Sequence, residues 1–516
     1  MLEEIRDPLA VLPNGSGARF VPAGTREPFV SPRTEGTVPG LFWTFTGTGG
    51  QAGLQLLVLI VLARLVSPEE FGLVAAALFV AGFSAIFAQC GIGPAVVQRL
   101  ELQTDHLRTG FTISVFLGAL LAVVNWVAAP AVAALFHLDG LTPVLRALSL
   151  LFLVQGFAVV AESLLQRDLR FRSLACVELA TVGLGYGAVG IGLALAGLGV
   201  WALVGANLAQ TVLRTIALLA IQPHAMRPQL DRKVLAELMH FGGGFTAARL
   251  ANYLAGQGDS FVVARWLGAA ALGVYGRACQ LMVGPAMLLG EALDRALFPA
   301  MAKVQDRPTV LAETYRRGVA LIALVVLPAS TVLVVLAPEV IHVLLGSDWA
   351  EVTVPLQILA LGMLFRTSYK MSDSLVRATG AVYRRAWRQV AFAVLVVTGA
   401  WLGQPWKLPG VAVGVVAAVA VNFGLMAHLS LCLVPLPWRR FWAAHLPGLA
   451  LAGLVGVQVY WVSLVLRAWT LPATAVLLVS VAAIVPSLLV VWCLPRLFPG
   501  QDGRWMFRTL ADQRTL

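Results

Sequence analysis

Apolar runs long enough to cross a bilayer recur along most of the chain, separated by short polar connections. A spanning helix needs about 20 mostly apolar residues. Fourteen stretches meet that requirement: 40–63, 72–97, 109–135, 142–165, 173–196, 199–221, 242–267, 270–299, 314–345, 351–376, 387–404, 409–433, 445–466 and 471–494. Little more than Ala196–Gly199 separates the fifth from the sixth. The pattern predicts an all-α polytopic membrane protein with fourteen transmembrane helices.

Basic residues in the connections give an independent reading of sidedness. Twenty-eight of the 37 Lys and Arg fall in the two tails and alternate connections, against four (Arg64, Arg265, Lys407 and Arg467) on the other side. That bias places both termini in the cytoplasm, with an even number of spans. The exterior connections are all short. Residues 1–38, rich in Pro, Gly, Arg and Glu, read as a disordered cytoplasmic tail, and 496–516 as a second tail. The opening MLEEIRDPLA is acidic where a signal peptide is basic, so the first span is expected to insert the chain.

Composition sharpens this picture. The chain of 516 residues is 59% hydrophobic and 12% charged, about half the charge of an ordinary soluble domain. A soluble enzyme and a disordered chain are excluded. The net charge of +11 follows from topology and does not call for nucleic acid. Five cysteines (Cys90, Cys176, Cys279, Cys432 and Cys493) lie in or beside apolar runs without metal spacing.

An internal repeat divides the spans. VLARLVSPEEFGLV (61–74) aligns with VVARWLGAAALGVY (262–275) at an offset of 201, pairing Arg64 with Arg265 and Gly72 with Gly273. APAVAALF (129–136) meets APEVIHVL (337–344), and GVWALV (199–204) meets GVAVGV (410–415), in the same order. Spans 1–12 thus form two six-helix lobes, 39–221 and 241–434, joined by a cytoplasmic linker at 222–240. Two further helices follow at 435–495. Six is even, so the lobes are parallel repeats, with the substrate site expected between them.

ARLVSPEEFGLVA (63–75), GIGPAVVQR (91–99), QRDLRFRSLACVE (166–178), AGLGVWALV (196–204), DSFVVARWLGAAALGVY (259–275) and LFPAMAKVQD (297–306) resemble the polysaccharide transporter family. These are the exopolysaccharide and O-antigen flippases, colanic-acid-exporter-like, of the superfamily that also holds the multidrug and toxic-compound extruders. The resemblance covers roughly 40–435; Ala264 departs from it, since the family often carries Gly there. It implies a MATE-like fold and no enzymatic activity or cofactor. It also implies an inner-membrane flippase for an undecaprenyl-diphosphate-linked oligosaccharide repeat unit. A polysaccharide polymerase and a chain-length regulator would be its partners.

Charges inside spans are costly and face a cavity or one another by default. Arg249, Asn252, Gly256 and Asp259 share one face of span 7; Arg366, Lys370, Asp373 and Arg377 share one face of span 10. Arg249, Asn252, Arg366 and Lys370 are therefore cavity candidates, since guanidinium pairs bidentately with phosphate. Asp373 and Arg377, near the cytoplasmic end, read equally well as snorkelling. Asp259 is the ion-coupling candidate. Arg146 and Arg277 lie within two turns of the exterior ends of spans 4 and 8 and are further candidates, with interface anchoring the competing reading. Glu178 stands alone in span 5; Glu291, Asp294 and Arg295 close span 8. FTGTGGQAG (45–53) and FGGG (241–244) lack the Lys-Ser/Thr of a phosphate loop and suit helix packing. No nucleophile triad or zinc spacing emerges.

Three functions compete. A multidrug cation extruder of the same fold needs an acidic, aromatic cavity, whereas the excess here is basic. A membrane polymerase or glycosyltransferase needs a long exterior catalytic loop, which the chain lacks. The lipid-linked oligosaccharide flippase meets neither objection.

Overall fold

A computed structural model describes residues 37–89, 92–99, 102–469 and 471–484. The expected tails, the end of the last span and the side chains of Glu291, Asp294 and Arg295 lie outside the described residues, as do those of 241–244. Among the described residues every regular element is a helix, as bilayer burial demands where backbone groups find no water. The first half holds α1 (Thr37–Ala63), α2 (Pro68–Gln89), the short α3 (Ile92–Gln98), α4 (Thr104–Phe136) and α5 (Leu141–Arg167). It continues through α6 (Phe171–Thr181), a π-helical stretch (Val182–Val189), α7 (Gly190–Leu195) and α8 (Val200–Ile221).

The second half opens on α9 (Arg232–Lys303), then α10 (Pro308–Val335), α11 (Ala337–Leu344), a 3-10 turn (Ser347–Val352), α12 (Thr353–Leu361) and α13 (Met363–Ala378). It closes with α14 (Val382–Gly403) and α15 (Lys407–Leu433). After the short α16 (Trp438–Ala443) come α17 (Leu446–Ala468) and α18 (Ala473–Ala482). Eight described helices are long and apolar enough to cross a membrane, or nine if the pair bent by 41° at Gly362 counts as one.

Several expected spans are broken. The stretch 72–97 divides into α2 and α3, where Pro94 sits in the first turn of α3 and its missing N–H costs nothing. The stretch 314–345 divides at Leu336, with Pro338 starting α11. Conversely, α9 runs through both expected spans 7 and 8, turning at Gly268 (φ 88°, ψ −179°). Only glycine reaches that backbone region without strain.

Sequence and geometry agree closely at the start of α2. Ser67 and Glu70 form a reciprocal cap: the Ser67 N–H donates to Glu70 Oε2 (2.9 Å) and the Glu70 N–H to Ser67 Oγ (3.4 Å). One turn later the halves touch. A Cβ at Gly72 would stand 1.7 Å from the Ala269 carbonyl oxygen, and one at Gly273 would stand 1.9 Å from that of Pro68. Pro68 pairs with Ala269, and Gly72 with Gly273, under the 201-residue offset. The contact is therefore reciprocal, as around a local two-fold axis. Around it Trp349, fully buried, donates its Nε1–H to the Ala63 carbonyl (2.7 Å) and meets Phe71 edge-on at 5.5 Å. Arg64 donates to the Val343 carbonyl (2.6 Å). The largest apolar core gathers here, with Leu62, Val66, Leu141, Val262, Leu272 and Leu345 all buried. The halves are sealed at the end that carries few basic connections.

Candidate functional site

Away from that seal an open cavity of about 580 Å³ lies between the halves. Its first-half wall comes from α3 and α5 through Gln98, Glu162, Ser163 and Gln166; the second half contributes Arg249 of α9. One turn after Arg249, Tyr253 donates its hydroxyl to the Phe79 carbonyl of α2 (2.6 Å) and packs on the Phe79 ring at 5.6 Å. This contact fixes the arm of α9 that presents Arg249.

Glu162 belongs to a network the sequence did not expose. Arg214 of α8 donates Nη2–H to Glu162 Oε1 and Nε–H to Glu178 Oε2, both at 2.9 Å. Glu178 is thus paired rather than alone, because α8 carries Arg214 inside the helix and turns it toward α5 and α6. Gln166 also donates to Glu162 (3.4 Å). Two carboxylates share one guanidinium, so this wall carries an excess negative charge, bordered by a second cavity of about 210 Å³. The clue was Glu162, a carboxylate inside span 142–165.

The two stripes of the second half converge. Asn252 of α9 and Lys370 of α13 line one polar cavity of about 160 Å³, with Tyr369, Asp373, Arg377 and Arg385. Asp373 pairs with Arg377 at 3.2 Å and also with Arg385 of α14. Lys370, Arg377, Arg385 and the Asp373 carboxylate thus line it together. Asp373 and Arg377 are therefore held inside the fold and partnered, which simple snorkelling does not require.

Asp259 does not face this space. It is 5% exposed, and its Oδ2 accepts from the Tyr275 hydroxyl at 2.7 Å. Tyr275 lies beyond Gly268, so the bond ties the two arms of α9 together. Arg366 lies within electrostatic reach of Asp259 and of Tyr369. Arg146 lies apart, on the first half's Trp126, with its guanidinium 5.5 Å from the ring. Arg277 sits at the seam between halves, 4.4 Å above the Phe71 ring. Among the described residues no group of three His, Cys, Asp or Glu is placed to hold a metal ion.

Comparison with known proteins bears on the family and the fold. The model of the family described as polysaccharide biosynthesis protein matches residues 61–354. The lipopolysaccharide biosynthesis protein WzxC of Escherichia coli (strain K12) is 27% identical over 350 residues, 67% of this chain and 71% of that one. Among solved structures, the lipid II flippase MurJ in an inward closed conformation superposes with a TM-score of 0.67 at 12% identity, over 88% of this chain and all of that one. An inward-facing multidrug resistance MATE family transporter of the MOP superfamily gives 0.59 at 16% identity, over 74% and 95%.

Proposed function

The chain belongs to the polysaccharide biosynthesis protein family, and from that premise we propose that it is a flippase for a lipid-linked oligosaccharide. The observation that carries this reading is the polar cavity between the halves, sealed at one end and carrying Arg249 on its second-half wall. A lipid diphosphate needs such a path, since hydrocarbon solvates neither its charge nor its sugars. WzxC takes its name from lipopolysaccharide biosynthesis and MurJ from lipid II flipping, which supports the same class of cargo. The carrier we assign is undecaprenyl diphosphate, in the inner membrane, with a polymerase and a chain-length regulator receiving the repeat unit.

Fourteen spans in two parallel lobes plus two helices, with both termini cytoplasmic, complete the reading. The sealed end is then the exterior one, and alternating access exchanges that seal for one on the cytoplasmic side. The reciprocal Gly72–Gly273 contact supports two related lobes. Reporter fusions after residues 137, 268 and 347 will report the exterior, and fusions after 103, 226 and 380 the cytoplasm. A cytoplasmic signal at 268 breaks the two-lobe arrangement.

The multidrug extruder shares this fold, yet a cavity lined by Lys370, Arg377 and Arg385 offers donors that suit an anion better than an organic cation. Deleting the gene in its host decides between them. The flippase reading expects lipid-linked repeat units to accumulate and surface polymer to vanish, with the wild-type gene restoring both. Lost dye resistance with normal polymer would favour the extruder. Supplied to the deletion strain in place of the wild-type gene, Arg249→Ala lowers export about 10- to 100-fold, the worth of one charge-assisted bond. Arg249→Lys recovers only part of it, lacking the bidentate geometry.

A further inference from the structure

Among the described residues no carboxylate pairs with Arg277. Its Nη1 donates to Gln280 on the same helix (2.5 Å), its guanidinium covers the Phe71 ring, and its Nε is enclosed without a partner. Among the described residues the one titratable group that acts on it is Tyr186, in the π-helical stretch of the first half. Phe71 and Tyr186 come from one half and Arg277 from the other. The side chain therefore sits on the seam. A π-helical insertion in a spanning helix often marks a functional position. An unpaired cation inside a membrane protein is expensive to keep. A purely apolar contact with Phe71 would be made at lower cost by leucine or methionine.

We propose that Arg277, with Gln280, is a second binding station for the diphosphate, at the exterior end of the passage and capped by Phe71 in this sealed state. The proposal rests on the flippase reading above and adds an order of events to it. Arg249 meets the anion in the open cavity. When the seal parts, Phe71 leaves with the first half and uncovers the guanidinium, which receives the anion before release. Gln280 supplies a neutral hydrogen bond beside it.

Arg277→Met separates this role from packing, because methionine fills similar volume over Phe71 and removes a half-buried charge. At matched membrane abundance in the deletion strain, R277M is expected to export at least about tenfold less polymer than wild type, with R277K retaining part. Full export by R277M in a strain that the wild-type gene complements overturns the station and leaves the flippase reading standing. A second measurement does not depend on the cargo: thermal stabilisation of the purified full-length protein by inorganic pyrophosphate. Phe71→Leu removes the cap and should increase that stabilisation, and F71L/R277M should lose the increase. Equal stabilisation of F71L and F71L/R277M overturns the proposal whatever the deletion strain shows.

Discussion

Leucine in place of Gly72 abolishes polymer export while the protein still reaches the membrane. The reason is backbone geometry. A Cβ there lies 1.7 Å from the Ala269 carbonyl oxygen and 3.0 Å from the Ala269 Cα, so no side-chain rotation relieves the clash. Overpacking in a well-packed interior typically costs about 1–3 kcal/mol, and a backbone collision of this depth stands at the upper end or above it. The halves escape that cost by parting at the exterior seal, which removes the sealed state from the cycle. Export should fall about 100-fold or more, the factor that some 3 kcal/mol commands. Gly273→Leu should match it, because its Cβ meets Pro68 in the same way. Labelling checks the cause: Val66, 3% exposed in the sealed core, is replaced by cysteine in a background freed of other cysteines. A membrane-impermeant maleimide should label that cysteine rapidly in G72L and slowly with Gly72 intact. Normal export by G72L, or unchanged labelling, would show that this seam does not need to close.

The sequence announced this contact without giving its meaning. Gly72 and Gly273 were visible as partners in a repeat, because the hydrophobic pattern and the short motifs survive in both halves. That they touch each other is a property of the assembly. Helix faces were legible for the same reason that spans were: lipid imposes a length, and the helix imposes a period, so Asn252 and Lys370 fell on stripes that do meet. Partners on other elements were not legible. Asp259 read as an isolated carboxylate, yet its partner Tyr275 is brought back by the turn at Gly268. Glu162 and Glu178 lie 52 and 36 residues from the arginine that bridges them, a separation over which one-dimensional spacing carries no signal. Broken spans were hidden as well, because Pro94 and Pro338 sit in first turns, where they start a helix rather than merely interrupt one.

Arg467→Ala weakens the attachment of the C-terminal helices to the second half, where α17 also shares a buried apolar cluster of Leu451, Val455 and Val459 with Leu336. Between two helices in lipid the hydrophobic effect contributes nothing, so packing and polar contacts must hold α17 in place. Arg467 supplies three such contacts at once. Its Nε and Nη2 grip both oxygens of Glu339 on α11, at 2.7 and 2.9 Å, and Nη2 also reaches the Val335 carbonyl of α10 at 3.1 Å. The Glu339 side chain is 8% exposed and that of Arg467 is 39% exposed. Removing one partner of a buried pair costs about 3–5 kcal/mol, because the other charge is left enclosed. The partial exposure of Arg467 screens some of this, and about 2 kcal/mol remains. The detergent-purified R467A protein should unfold about 2 °C below wild type. Glu339→Gln keeps the shape and removes the stranded charge, so E339Q/R467A should be more stable than R467A. If instead the double variant melts lower than R467A, the loss comes from packing of the arginine stem and not from the unpaired carboxylate.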